Sequence, residues 1–359
     1  MFPTFLALLI SGLTTLVLIK YRFFHEKFSS DSDLTGIQKF HTIPTPRIGG
    51  ISIAMGILGA FLFRLWQDHP SGILLGLLSF CALPAFLSGL AEDLTKKVSA
   101  PLRLIATSIS AGLACYFLNI AVAGIGISWI DPIFAIPTFS ILFTCLTVTG
   151  LANSYNIIDG FNGLASMVAI ISLCAIGYVA FRVNDTLLIL FSLVMIGSIV
   201  GFFIWNYPKG LIFLGDGGAY FIGFWVGILS IMLVSRNPEV SPWFACLINI
   251  YPIFETLFSI WRKKVIKKMS PGMPDGVHLH MLVYGRLARW IKVDKPSKEF
   301  LSNARTSPYL WALSSLGTVP AILFWGNTPV LILTAFLFCI FYTSLYRSLV
   351  RFKTPRWLK

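Results

Sequence analysis

Charge is scarce in this sequence. Only 12% of its 359 residues are Asp, Glu, Lys or Arg, against 56% that are hydrophobic, and the mean hydropathy is +0.79. A soluble globular domain carries about a quarter charged residues, so that class is excluded. Acidic residues are the rarest charged type, 15 against 28 Lys and Arg, for a net charge of +13. Cysteine is sparse and scattered: Cys81, Cys115, Cys145, Cys174, Cys246 and Cys339 all lie in apolar runs without C-x-x-C spacing. Neither a disulfide framework nor a zinc site follows from such spacing. Walker A and G-x-G-x-x-G patterns are missing, which argues against a soluble nucleotide-binding fold. There is no short tandem period, low-complexity tract or appended soluble domain. What is abundant is apolar and aromatic: 31 Phe and 10 Trp exclude a disordered chain, and 29 Gly with 19 Pro spread through apolar stretches exclude a coiled coil.

A hydrocarbon core about 30 Å thick takes about 20 apolar residues per helix. Apolar runs of that length, broken at charge clusters and turn signals, give about eleven spans. They cover 2–20, 48–65, 72–90, 102–120, 136–153, 164–182, 186–204, 217–235, 242–261, 309–326 and 328–346. The first run lacks a basic start and a small-residue cleavage site, and reads as an anchor rather than a signal peptide. Of the 28 basic residues, only Arg64, Arg182 and Arg236 fall on one side; the rest occupy the alternate loops and the C-terminal tail. The positive-inside rule therefore places the N-terminus outside and the C-terminus in the cytoplasm. The expected fold is an all-α polytopic membrane protein, a single domain over 1–359 with cytoplasmic loops 21–47, 91–101, 154–163, 205–216 and 262–307. Because the surplus charge is topological, no nucleic-acid partner is expected; membrane lipids are, and the basic 262–305 stretch also suits anionic headgroups or a phosphorylated substrate.

The acids follow the same sidedness. Glu92, Asp93, Asp159, Asp216 and Asp275 fall at or just beyond the cytoplasmic ends of the spans. Singly, each reads as a cap or a solvated loop charge; together they put several loops on one face. Adjacent Glu92 and Asp93 repel unless a cation, a shared proton or a basic partner such as Lys96, Lys97 or Arg103 is near. The run from Asn153 through Asn156, Asp159 and Asn162 to Leu164 offers amides and a carboxylate suited to a nucleobase, a sugar or a hydrated cation. Turn chemistry explains Asp159-Gly160 and Asn162-Gly163 but not Asn153 and Asn156 near a span end. In Phe213-Leu214-Gly215-Asp216-Gly217-Gly218, glycines ahead of a helix let backbone N–H groups approach an anion, and Asp216 suits Mg²⁺. His278 and His280, two of the five histidines, stand one residue apart in the longest basic loop, where imidazoles can meet phosphate oxygens or a metal. A short headgroup-level helix is expected over Met281–Lys292. Glu255 lies about 10 Å inside its span at 1.5 Å per residue, and an intramembrane carboxylate calls for a partner from another helix.

The ordered set, Pro44–Gly50 with Arg47, Glu92-Asp93, Asn153–Leu164, Phe213–Gly218, Pro252–Thr256, Arg262 and Pro274–His280, resembles the polyprenyl-phosphate N-acetylhexosamine-1-phosphate transferases. The resemblance covers most of the chain. It implies a bacterial inner-membrane enzyme that transfers a sugar 1-phosphate from a UDP-sugar donor to undecaprenyl phosphate with Mg²⁺ and releases UMP, starting a cell-envelope glycan such as peptidoglycan, O-antigen or teichoic acid. Oxygen ligands suit Mn²⁺ as well. A homodimer is compatible with such an enzyme. By position, Glu92 and Asp93 match the acidic pair associated with the lipid phosphate, and Asp216 the metal-binding aspartate. Asn153, Asn156, Asp159 and Asn162 match the segment lining the nucleotide-sugar cleft; His278 and His280 match the motif that meets the diphosphate, with Arg262 ahead of them. Arg47, Arg103 and Glu255 join the expected substrate-binding set, and Asp159 the catalytic set with Glu92, Asp93 and Asp216. Departures touch the same places: Glu92 for the usual Asp, Asn162 for the second Asp of Asp-Gly-x-Asp-Gly, Met281 where a further His is common, Ala219 for Ser and Glu255 for Asp.

A secondary transporter is the rival from another class, but transporters put charged or unwound segments near the midplane of repeated halves, whereas here the candidates gather on one face. A non-catalytic relative acting as a membrane binding protein is the other alternative. Intact Asp93, Asp159, Asp216 and both histidines argue against it.

Overall fold

Hydrocarbon offers a backbone no hydrogen-bond partner, so each apolar run must close its N–H and C=O groups within itself. The computed structural model describes residues 1–31, 45–266, 268, 277–290 and 299–351, and over these the chain is almost wholly helical. In order come α1 (Phe2–Lys20), α2 (Arg22–Ser29), α3 (Gly49–Trp66), α4 (Pro70–Thr95), α5 (Ala100–Leu118), α6 (Pro137–Ile158) and α7 (Leu164–Arg182). Then follow α8 (Thr186–Asn206), α9 (Gly215–Arg236), α10 (Pro242–Ile248), α11 (Ile250–Trp261), α12 (Leu279–Trp290), α13 (Glu299–Leu323) and α14 (Thr328–Val350). Helices α1, α4, α5, α6, α10 and α14 carry a proline in their first turn, where a missing N–H costs nothing. Pro44, Asp275 and most of the 270–277 stretch lie outside the described residues.

Among the described residues nine helices are long and apolar enough to cross a membrane, ten if the pair α10–α11 forms one span. The expected eleven reduces for two reasons. The run over 242–261 is not straight: it bends by 74° between α10 and α11. Pro252 has no N–H to offer the Ile248 carbonyl, which instead accepts the Ser172 hydroxyl at 2.9 Å. The run over 309–326 is the second half of α13, a 25-residue helix that is not among the nine and turns Asn303, Thr306, Ser307, Ser314 and Thr318 inward.

Several helices outrun their expected limits, and this moves the candidate residues. Helix α4 continues to Thr95, so Glu92 and Asp93 belong to its last turns; α6 continues to Ile158, so Asn153 and Asn156 are helical and Asp159 is its C-cap. Helix α9 begins at Gly215, so Asp216 sits in its first turn and Gly217 and Gly218 lie within it. These two glycines are not a phosphate loop. A Cβ on Gly50 of α3 would come within 2.4 Å of the Gly218 nitrogen, and one on Gly89 of α4 within 2.6 Å of the Gly217 nitrogen. The glycines are what let α3, α4 and α9 meet backbone to backbone.

Helix α9 is the centre of the bundle, with 89% of its apolar window buried, whereas α1 and α14 at 22% are peripheral. Gly223 of α9 packs on Ala152 of α6, and on α8 the Gly197–Gly201 pair lies against α1, where a Cβ would meet the Thr4 and Leu8 carbonyls at 2.4 and 2.5 Å. At the end away from the acids, Asp185 caps α8 through the Leu188 N–H and takes Arg236 Nε of α9 at 2.6 Å. Burial pushes the Asp185 carboxyl up, but the hydrogen bonds from Arg236 and Leu188 outweigh it and hold the group below the usual carboxylate range. At the acid-bearing end a two-residue ladder, β1 (Ser30–Asp31) with β2 (Thr45–Pro46), joins the chain after α2 to that ahead of α3, which in turn binds the chain ahead of α9: Phe213 N–H donates to the Pro46 carbonyl at 2.8 Å, and Gly49 N–H to the Phe213 carbonyl at 3.0 Å.

Close α1–α8 packing has a measurable cost of disruption. Gly201→Leu is expected to lower the thermal unfolding temperature in detergent, at about 1–3 kcal/mol for the forced separation. Gly150→Leu, whose Cβ meets nothing within 4 Å, is expected to leave it unchanged.

Candidate active site

Helix α9 starts with backbone N–H groups that have no intrahelical partner and a partial positive charge. The anion that meets them is a side chain of the protein itself. Asp93, buried at 1% exposure, takes the Asp216 N–H on Oδ1 and the Gly217 N–H on Oδ2, both at 2.9 Å. Gly215, at φ +76° in the left-handed region, brings the chain into this cap against the Arg47 carbonyl, where a Cβ would have no room.

Asp93 and Asp216 at one helix end would repel, and two guanidinium groups answer them. Arg47 places Nη2 3.3 Å from Asp216 Oδ1 and Nε 3.8 Å from Asp93 Oδ1; Arg103, in the first turn of α5, pairs with Asp216 Oδ2. Arg103 also lies 5.7 Å from the Tyr220 ring centroid, and the Tyr220 hydroxyl donates to Asn153 Oδ1 at 3.1 Å, which ties α6 into the cluster. Asp159, half-buried, faces the same cluster. Burial pushes its carboxyl up to about 7, against the pull of the Arg47 guanidinium. A carboxyl shifted that far can exchange a proton near neutral pH.

The second half of the site is built on the bent α10–α11 pair and the C-terminal helix. Glu255 is fully buried and accepts three hydrogen bonds: from His278 Nδ1 at 2.9 Å, from the Leu279 N–H at 3.3 Å, and from the Tyr342 hydroxyl of α14. The partner expected from another helix is thus Tyr342. Arg262, also buried, donates through Nη1 to the Val277 carbonyl and the Tyr346 hydroxyl, each at 2.7 Å. His278, just ahead of α12, stacks on His280 in its first turn, with centroids 5.3 Å apart and planes 2° from parallel. His280 closes against Gly160 and Phe161, next to Asp159, so the histidine pair and the acids meet across the 159–161 turn. Burial pushes His280 down to about 3, with the Glu255 carboxylate opposing, so the ring is neutral at ordinary pH. Its Nδ1 is buried with no hydrogen-bond partner. An orphaned polar atom costs about 1–3 kcal/mol, and such atoms mark places where a ligand belongs.

Three expected residues do not join the cluster. Glu92 turns back to accept the Val98 N–H at 2.7 Å, closing its own loop. Asn162 is spent on scaffolding: Nδ2 donates to the Pro208 carbonyl at 3.0 Å, its N–H to Asn303 Oδ1 at 2.9 Å, and its carbonyl accepts the Ser307 hydroxyl. Asn156 lies one turn ahead of Asp159 on α6, half-buried. Residues that the sequence reading missed are Tyr220, Tyr342 and Tyr346. The available signal was a polar-tipped aromatic pair at i, i+4 in an apolar helix, which presents both hydroxyls on one face.

Among the described residues no group of three or more His, Cys, Asp or Glu side chains forms a metal cage. Mg²⁺ needs less: one or two carboxylates, with phosphate oxygens and water completing the shell. Asp216 already balances two cationic side chains, so its oxygens suit a cation; it is the carboxylate here that fits. Toward the end away from the acids, an apolar cavity of about 380 Å³ runs between α6, α9 and the α10–α11 bend, lined by Ile125, Phe143, Val148, Leu151, Gly227 and Trp243.

Comparison with known proteins finds that the model of glycosyl transferase family 4 matches residues 74–234, a stretch that holds Asp93, Arg103, Asp159 and Asp216. The Streptococcus pneumoniae phospho-N-acetylmuramoyl-pentapeptide-transferase is 30% identical over 67% of this chain and 74% of its own. That of Streptococcus uberis is 27% identical over 89% and 98%. The Thermotoga maritima undecaprenyl-phosphate alpha-N-acetylglucosaminyl 1-phosphate transferase is 28% identical over 70% and 72%.

Tyr342→Phe keeps the ring and deletes one donor to a buried carboxylate, so it is expected to cost about 1–3 kcal/mol of stability. Denaturant unfolding in detergent checks this. Tyr309→Phe, an exposed position on α13, is the control expected to leave stability unchanged.

Proposed function

Because the chain belongs to glycosyl transferase family 4, the polyprenyl-phosphate N-acetylhexosamine-1-phosphate transferases, we propose that it moves an N-acetylhexosamine 1-phosphate from a UDP-sugar to undecaprenyl phosphate. The reaction releases UMP at the cytoplasmic face of a bacterial inner membrane and starts a cell-envelope glycan lipid. The observation that carries this reading is the gathering of two guanidinium groups on Asp216 and of the His280 ring, whose buried Nδ1 has no hydrogen-bond partner, about the Asp159–Phe161 turn. Cationic and neutral side chains on two sides of one turn suit a diphosphate.

In the reaction an oxygen of the lipid phosphate attacks the phosphorus that carries the sugar. The bond from that phosphorus to the bridging oxygen breaks, and UMP leaves with that oxygen and its electron pair. The protein's task is charge neutralisation and in-line placement rather than covalent chemistry. Arg47 and Arg103, held by Asp216 before substrate arrives, are the cations that the phosphate oxygens compete for. His280, in the tautomer with its proton on Nδ1, donates to a further phosphate oxygen. A phosphate monoester is largely ionised near neutral pH, so little base is needed; Asp159, with its carboxyl near 7, takes any remaining proton. Asp93 acts through α9, holding Asp216 in place rather than touching the nucleophile. Mg²⁺ belongs to the proposal, with Mn²⁺ an acceptable substitute: Asp216 would hold it, and it would neutralise the diphosphate. The cavity between α6, α9 and the bend offers apolar surface for part of the polyprenyl tail.

The test is UMP release by purified protein with undecaprenyl phosphate and a panel of UDP-sugars, with and without Mg²⁺. Release that needs lipid, metal and Asp216, falling at least a hundredfold in Asp216→Ala, supports the reaction and names the donor. Undiminished release by Asp216→Ala, or none from folded wild type on any donor, counts against it.

A further inference from the structure

Helix α2 begins one residue after the membrane helix α1 ends, with only Tyr21 between them. Its inner side is polar and bound: His25 Nε2 contacts the Leu18 carbonyl at 2.9 Å and Nδ1 the Ser29 hydroxyl at 2.6 Å, so α2 is folded back on the last turn of α1. Its outer side is aromatic. Phe23 is 86% exposed and Phe24 80%, edge to face at 6.2 Å, with Tyr21 6.3 Å from Phe24 and the Lys20 ammonium 5.5 Å over the Tyr21 ring. An eight-residue helix with two bare phenylalanines, flanked by exposed Lys20 and Arg22, has the make-up of a segment at the headgroup level. Its origin at the mouth of α1 leaves it no other depth.

The end of α2 is wired to the acid cluster. The Ser29 carbonyl accepts the Arg47 N–H at 2.8 Å, and β1, which follows directly, pairs with β2, which precedes Arg47. Arg47 then reaches Asp216 and Asp93. From these contacts we infer that α2 is a membrane-surface anchor, seated in the headgroup layer of the leaflet where α1 emerges with Phe23 and Phe24 toward the acyl boundary, and that this seat fixes the backbone that presents Arg47. The partner is the bilayer surface, its anionic phosphates meeting Lys20 and Arg22. None of these contacts depends on the transfer reaction.

Two measurements on the full chain in phosphatidylglycerol-containing liposomes test it. A nitroxide on Phe24→Cys, with the six native cysteines replaced, is expected to sit about 5–10 Å below the phosphates by oxygen against nickel-chelate accessibility, while Ser99→Cys at the same end stays water-exposed. A water-exposed label at 24 overturns the anchorage. Hydrogen exchange, with the cysteines left in place, reads the coupling. Phe23→Ser/Phe24→Ser is expected to speed exchange over 45–50 at least tenfold, and Phe23→Leu/Phe24→Leu to restore protection. Unchanged exchange in the serine variant, or none of the rescue, overturns the coupling. Neither readout uses turnover, so failure of the transferase reading would show separately, as absence of UMP release.

Discussion

One carboxylate, Asp93, seated in the N-terminus of the central helix α9, holds the acid-bearing end of the bundle together. A helix start buried in a membrane protein leaves N–H groups that neither water nor lipid can satisfy. Asp93 satisfies two of them and brings negative charge to the positive end of the dipole. It can do so only because Gly89 and Gly217 let α4 and α9 touch backbone to backbone. The cap puts a second acid, Asp216, beside the first, and the resulting repulsion is answered by Arg47 and Arg103 from two further elements. Four parts of the chain thus converge for an electrostatic reason. The converged site is balanced in charge and open to an anion that competes for the arginines.

The histidine half follows a different logic. Glu255, buried within the bent α10–α11 pair, is tolerable only because His278, Leu279 and Tyr342 saturate it. Those bonds bring α14, at the edge of the bundle, and the segment ahead of α12 to one point. The same network leaves His280 Nδ1 unsatisfied, while the Nε2 edge of the ring lies against Gly160. A fully bonded support that holds one unbonded ring nitrogen in place is what a ligand-binding side chain requires.

Much of this was legible in the sequence. In a chain with so few charges, each acid outside the apolar runs stands out, and Asp93, Asp159, Asp216, Glu255 and the two histidines do converge. What could not be read was which way each side chain turns. Glu92 and Asp93 are neighbours, and 100° of helix sends one to its own loop and the other into α9. Asn162 looked like a substrate contact because its amide has the right chemistry; Pro208 takes that amide instead, and α13 holds the residue's backbone. Gly217 and Gly218 looked like an anion loop, yet the N–H of Gly217 goes to an internal anion and both glycines serve packing. The break at Asn249 did have a signal, Pro252 inside an apolar run, and its consequence depended on Ser172 of α7 taking the freed carbonyl.

The central claim is that Asp93 works as the cap of α9 and not as the base, and the most direct measurement is the stability of Asp93→Asn beside its turnover. Asparagine keeps one acceptor and loses the charge. The expected result is a variant less stable by about 1–2 kcal/mol and impaired in binding UDP as well as in turnover, because Asp216, Arg47 and Arg103 lose their common frame. A variant of unchanged stability and UDP affinity that has lost only turnover would contradict it, since that is how a carboxylate acting on the nucleophile behaves.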